Sequence, residues 1–256
     1  MKQPITLWNA ILSALSGICL LVVLVPVLYL MFGSPPSTLW ETLKDPEVLE
    51  SLGLTFFCGF IALLIGLLVG IPLAYLLARS DFKAKQLIQG IVDIPIVIPH
   101  PVAGIALLLV FAGWGSDLSP IGSWTGIVIA MFFVSVSLLI NAAQEGFRAV
   151  PREMEWASHS LGVGPVKTFF RVSLPLNRQN LLAGAIMMWA RSISEFGSIV
   201  ILVYNPKVAS VLIYDRFASF GLSYSLPVAV ILIWLSVILF FCMRTIQTRN
   251  RPVVGY

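Results

Sequence analysis

Four ionisable side chains, Asp93, His100, Arg191 and Glu195, interrupt runs that are otherwise almost wholly apolar. Arg191 and Glu195 stand four residues apart, the separation at which side chains on one helix face meet. If that helix begins near Gln179, Arg191 lies roughly 18 Å along it at about 1.5 Å per residue. That is past the middle of a hydrocarbon layer about 30 Å thick. His100 reaches a comparable depth, about 11 residues beyond Gln89. A charge so deep costs about 2.5–3.5 kcal/mol on insertion scales, so it must face protein or water and find a partner. Two readings stay open. Either Arg191 and Glu195 neutralise each other and lock their helix against a second copy, or they edge a polar path. On the path reading Arg191 offers positive potential to a passing anion, and Glu195 keeps that anion from binding too tightly.

His100 sits among Pro95, Pro99 and Pro101. It either bonds a carbonyl freed by a proline kink or lines the same polar route. Two other constellations fail on their own terms. Gly162 to Thr168 reads GVGPVKT, but a phosphate-binding loop needs a glycine where Val166 stands, and a strand before it. Glu155 and His159 share a helix face, yet two groups without a third make a poor metal site. Neither a catalytic set nor a metal site is expected, and hydrolysis of ATP by this chain is not.

The elements that would position these groups are membrane spans. Hydrophobic residues make up 58% of the 256 and charged residues 11%, against roughly 25% charged in a soluble domain. Lipid must cover part of that surface. Six apolar runs reach the length of about 20 residues that a crossing helix needs: Ala10–Phe32, Ser51–Ala78, Gln89–Ala112, Ser123–Gln144, Gln179–Val203 and Leu222–Met243. Backbone unsatisfied in lipid is intolerable, so each is expected to be helical. Ala10–Phe32 is too long for a secretory signal core and no small-residue cleavage site follows it. Gly66 and Gly70 repeat at the spacing that lets helices approach closely. Turns such as Gly33-Ser34-Pro35-Pro36 and Gly113-Trp114-Gly115 separate the runs. Cys19, Cys58 and Cys242 lie inside apolar runs as small packing residues.

Orientation follows from Lys and Arg in the loops. With the N-terminus inside, Lys2, Arg79, Lys83, Lys85, Arg148, Arg152, Lys167, Arg171, Arg178, Arg244, Arg249 and Arg251 are cytoplasmic, and only Lys44, Lys207 and Arg216 are outside. Both termini are therefore expected in the cytoplasm. The net charge of +4 reflects this topology signal, not a nucleic-acid partner. Residues 1–256 read as one transmembrane domain, because the tail after Met243 is too short to fold alone.

The longest inside loop, 147–178, is more than a linker. Met154, Ala157 and Leu161 make a helical stripe from Arg152 to Leu161. Gly162 stops that helix, and Gly164-Pro165 starts a second one. The second places Val166, Phe169 and Phe170 on one side, until Leu174-Pro175 ends it. Such an elbow wants a cytoplasmic partner or rests on the lipid surface.

The stretch Glu155-Trp-Ala-Ser-His-Ser-Leu-Gly162, nine residues, then Val172-Ser173-Leu174-Pro175 resembles the EAA loop of ABC importer permeases. The spacing from Gly162 to Leu174-Pro175 matches in full. One departure stands out: the family's glutamate position holds Trp156, and the nearest acid is Glu155, one residue earlier. Asp93-Ile-Pro-Ile-Val-Ile-Pro-His-Pro-Val-Ala-Gly-Ile-Ala106 and Trp189-Ala-Arg-Ser-Ile-Ser-Glu-Phe-Gly197 look like the molybdate/tungstate branch, to which sulfate permeases are related. The resemblance covers nearly the whole chain. It implies an all-α permease working as a homodimer in a prokaryotic cell membrane. Its partners would be a pair of cytoplasmic ATPase subunits, which bind the ATP, and an extracytoplasmic protein that delivers the oxyanion. Glu155, Trp156, Ala157, Gly162, Leu174 and Pro175 would then couple to the ATPase. His100, Arg191 and Glu195 are the candidates for the translocation path. A secondary transporter would leave the elbow unexplained, and an intramembrane enzyme would need a nucleophile or metal set that the spans do not carry.

Overall fold

The computed structural model describes residues 7–249 except 114 and 116–118. Lys2, Trp114 and Arg251, used above for orientation and for a turn, fall outside the described residues. Every regular element among the described residues is helical. Helix α1 (Leu7–Met31) lies almost bare, a continuous apolar surface of the kind a bilayer covers. The short α2 (Pro36–Thr42) leads to α3 (Pro46–Arg79), whose Asp45 cap accepts the Glu47 N–H at 3.0 Å. Ser123 starts α6 (Trp124–Ala149) as a conventional N-cap, and α13 (Leu222–Arg249) is the last element described.

The centre is a three-helix packing of α3, α6 and α10 (Arg178–Ile193). Small residues make it close. A Cβ on Gly66 would come within 2.5 Å of Met188, one on Gly70 within 3.2 Å of Ile140, and one on Gly184 within 2.9 Å of Ala142. The glycine pair on α3 thus faces α6 and α10 of the same chain.

Two expected spans are broken. The third is two helices, α4 (Lys85–Val97) and α5 (His100–Ala112), with the chain bent by 114° between them. Ile98 and His100 each precede a proline, and Pro99 has no N–H to continue the ladder. A kinked single helix was expected; the prolines break it outright. The fifth stops at Ile193 and resumes only as α11 (Ile199–Leu202). At about 1.5 Å per residue, the 16 residues of α10 span about 24 Å, short of a layer about 30 Å thick. Among the described residues, four helices are long and apolar enough to cross a membrane, and the bent pair makes up to five. Helix α12 (Ala209–Phe220) packs on α13.

Candidate translocation site and coupling elbow

The break after α10 is held against the first turns of α5 by two glycines. A Cβ on Gly104 would meet the Ser198 carbonyl oxygen at 2.7 Å, and one on Gly197 would meet the His100 Cβ at 2.7 Å. This contact carries His100 to Arg191 and Glu195, so the three candidates from two separate runs share one site.

Glu195 lies beneath the other two. Its side chain is 1% exposed, against 24% for Arg191 and 44% for His100. Oε1 accepts from the Ser198 N–H and the Ser198 hydroxyl, both at 2.8 Å. Oε2 accepts from Arg191 Nη2 at 2.8 Å. Nη2 also sits 2.6 and 2.7 Å from the two ring nitrogens of His100, and Nδ1 lies 3.1 Å from Glu195 Oε2. A ring nitrogen cannot donate to the carboxylate and accept from the guanidinium at once. With its hydrogen on Nδ1, the ring donates from Nδ1 to Glu195 and accepts from Arg191 at Nε2, and the Nη2–Nδ1 approach is then a contact and not a hydrogen bond. A buried carboxylate therefore holds a guanidinium and an imidazole at the surface. Asp93 has different partners: its Oδ1 accepts from Asn141 Nδ2 at 2.8 Å, and Gln89 Nε2 donates to Asn141 Oδ1 at 2.9 Å.

The elbow forms as its turn residue dictates. Helix α7 (Arg152–Ser160) ends at Gly162, whose φ of 78° is costly for any residue with a Cβ. The Val163 N–H reaches back to the Ser158 carbonyl at 3.1 Å, closing the helix end. Pro165 opens the next turn, α8 (Pro165–Thr168). The chain then widens into a π-helical turn over Phe169–Ser173. Leu174-Pro175 does not end the winding as expected, since Leu174 is itself helical and α9 (Leu174–Leu176) follows directly. The wider turn also splits the expected apolar face. Phe169 packs against Tyr75 at 4.9 Å and near Phe147 at 6.0 Å, whereas Val166 and Phe170 stay exposed. Trp156 and Leu161 are exposed too, Leu161 by 83%, and Ala157 and Pro175 lie on the surface. Glu155 faces the other way. It is 8% exposed, and its Oε1 accepts from Arg79 Nε at 3.0 Å, Arg79 Nη2 at 2.9 Å and the Ser173 hydroxyl at 2.6 Å.

Arg79, Ser173, Ser198, Gly104 and Gly197 carried no role in the sequence reading. Arg79 was legible only as a topology charge. The two glycines were legible only as small residues in quoted stretches, with nothing local to name the surfaces they meet.

Residues 66–252 match the family model described as the binding-protein-dependent transport system inner membrane component. The chain is 41% identical over 252 residues to a molybdate/tungstate transport system permease protein, WtpB, of Thermococcus kodakarensis, covering 98% of this chain and 99% of that one. A sulfate transport system permease protein, CysT, of Salmonella typhimurium is 28% identical, covering 85% of this chain and 83% of that one. In fold, the chain resembles a solved chain of a bacterial ABC transporter involved in import of the acidic polysaccharide alginate. The TM-score is 0.73 at 14% identity, covering 95% of this chain and 97% of that one. Fold, spans and sequence agree: this multi-pass, all-helical chain belongs to the family of inner membrane components of binding-protein-dependent transport systems.

Proposed function

We propose that this chain is the permease subunit of an ATP-driven importer of molybdate or tungstate. The exposed apolar elbow carries the transport reading: Trp156, Leu161, Val166 and Phe170 stand bare at one end of the helical centre, where a partner surface would cover them. The oxyanion comes from the 41%-identical relative, which outranks the sulfate relative at 28%. Two copies of the chain, each a single permease domain over 1–256, each cross a prokaryotic cell membrane six times, with α10, its break and α11 together making the fifth crossing, and both termini lie in the cytoplasm. Two cytoplasmic ATPase subunits dock on the elbows and supply the nucleotide chemistry. An extracytoplasmic binding protein delivers the anion. Glu155, Trp156, Ala157, Gly162, Leu174 and Pro175 form the coupling segment.

His100 and Arg191 edge the translocation path. The partly exposed guanidinium of Arg191 offers its remaining donors to the anion, the imidazole of His100 steadies that guanidinium, and Glu195 beneath them holds the positive charge low, so that the anion leaves as readily as it enters. The test reconstitutes the complex with its ATPase and binding protein in vesicles. Molybdate or tungstate should stimulate hydrolysis and uphill uptake more than sulfate. Preference for sulfate would move the chain to the related branch. Uphill uptake by the permease alone, driven by a proton or sodium gradient, would make it a secondary transporter.

A further inference from the structure

We propose that Glu155 is a positioning residue that clamps the elbow to α3 and α6 through Arg79, rather than an acidic contact for the ATPase. The proposal rests on the reading that the elbow docks on that ATPase. Glu155 is aligned near the family's acidic position, yet its carboxylate is turned inward and 8% exposed. One oxygen gathers three donors from two places distant in sequence: Arg79 Nε and Nη2 from the last residue of α3, and the Ser173 hydroxyl from the end of the π turn. Arg79 Nη2 also donates to the Val150 carbonyl at the end of α6, at 3.0 Å, and Arg152 Nη2 donates to the Arg79 carbonyl at 3.3 Å. A single ion pair therefore joins the ends of α3 and α6, the first elbow helix and the π turn.

Tyr75 of α3, Phe147 of α6 and Phe169 of the π turn pack ring on ring, 5.2 Å for Tyr75–Phe147 and 4.9 Å for Tyr75–Phe169. This is an independent contact among three of the same four segments. Force applied at the exposed apolar side of the elbow is then delivered to both spans as one displacement. Without the clamp, the elbow would pivot on its glycine and the spans would lag. The work of the acid is done from inside the fold, while Trp156, exposed beside it, presents the surface.

The experiment uses the complete reconstituted complex and reads three quantities: ATPase subunit retained on purification, hydrolysis rate, and oxyanion imported per ATP hydrolysed. Glu155→Gln and Arg79→Gln should each retain the ATPase subunit and hydrolyse ATP. Import per ATP should fall about tenfold, within the usual range of intersite coupling. The double variant should be no worse than either single one, because both remove one interaction. An unchanged import-to-hydrolysis ratio in both singles overturns the clamp. So does loss of the ATPase subunit in Glu155→Gln alone with Arg79→Gln unaffected, which would make Glu155 a partner contact. If a neutral variant does not accumulate in the membrane, Ser173→Ala removes one of the three bonds and leaves the ion pair intact. It should give an intermediate loss of coupling, and a normal ratio there counts against the clamp. The docking reading fails separately, if Trp156→Ala combined with Leu161→Asp retains the ATPase subunit and pumps normally.

Discussion

Arg191 and Glu195 meet at 2.8 Å across the end of a helix, not along its face. Helix α10 stops at Ile193, and Glu195 lies in the turn that follows, its carboxylate held by Ser198. The i,i+4 pairing expected from spacing is made, but the acid is anchored to the break instead of to the helix. Its charge belongs to the packing between the break and α5, and Arg191 is the more exposed member of the pair.

Substitutions separate the two roles first considered for this pair. Arg191 contacts Glu195 and His100 through Nη2 alone, so no bidentate fork is at stake. Arg191→Lys, a point charge on a flexible stem, should therefore assemble and keep measurable transport. Arg191→Gln strands a buried carboxylate, which costs about 3–5 kcal/mol, and should assemble poorly. Adding Glu195→Gln should restore assembly, because the neutral amide oxygen still accepts from Ser198, while transport stays low. Thermal unfolding in detergent and uptake in vesicles measure the two effects. Full transport by the double variant would remove Arg191 from the path.

Gly162 offers a cleaner test of backbone conformation. A Cβ there meets nothing within 4 Å, so any penalty arises from its φ of 78° and not from crowding. Asn tolerates that region and a β-branched residue does not. Gly162→Asn should couple hydrolysis to transport almost normally, and Gly162→Val should insert but uncouple them. Equal transport by the two variants, measured per ATP, would show that the turn's geometry is not transmitted.

What was readable in advance depended on range. The elbow turn was legible because Gly162 and Pro165 act on their own neighbours. The meeting of Arg191 with Glu195 was legible because four residues separate them. Glu155 and Arg79 are 76 positions apart, and no local signal joins them. The split of Phe169 from Phe170 depends on a π turn, whose wider winding shifts the register of side chains on a face that an ordinary helix would keep together. The broken fifth span was hidden for a similar reason. Ser194 to Ser198 holds Glu195 and Gly197 but is short and flanked by apolar residues, so it passed as part of one run; the close approach of Gly104 from α5 to Ser198 is what the run could not show.

The ionic lattice at the end of the molecule near α2 and α12 predicts a window of pH. Arg216 donates to Asp45 at 2.6 Å and to Glu47 at 3.1 Å, and Lys207 to Asp215 at 2.7 Å and to Glu47 at 3.2 Å. The bond from Arg216 holds the Asp45 carboxyl below its ordinary value, and bonds from Lys207 and Tyr204 do the same for Asp215. The bond to Asp215 raises Lys207. Depressed acids stabilise above their unfolded value and lose that contribution as pH falls through the folded one. The raised base stabilises below its unfolded value and loses its contribution as pH rises through the folded one. The lattice should thus hold from about pH 4 to about pH 10. Lys207→Met should lower stability by about 1 kcal/mol or less at pH 7, with the difference from the parent chain shrinking in high salt and below about pH 4. Melting curves across pH and salt read this directly, and a difference that persists at pH 3 would mean packing, not charge, holds this end.

Two glycines that look alike in sequence should respond in opposite ways to one added methyl. At Gly66 the new Cβ would meet Met188 Cε and Sδ at 2.5 Å, the far end of an unbranched side chain that can swing aside. At Gly104 it would meet the Ser198 carbonyl oxygen at 2.7 Å and Cα at 2.9 Å, backbone atoms of the break that carries Glu195. Backbone cannot yield without moving the whole turn. Gly66→Ala should cost little and leave transport near the parent rate. Gly104→Ala should cost about 1–3 kcal/mol, the usual range for overpacking. Displacing the break would also part His100 from Arg191, so transport should fall more than stability alone accounts for. Uptake measured well below the melting temperature of each variant separates the two losses. If Gly104→Ala transports normally at that temperature, the packing of the break on α5 does not set the geometry of the path.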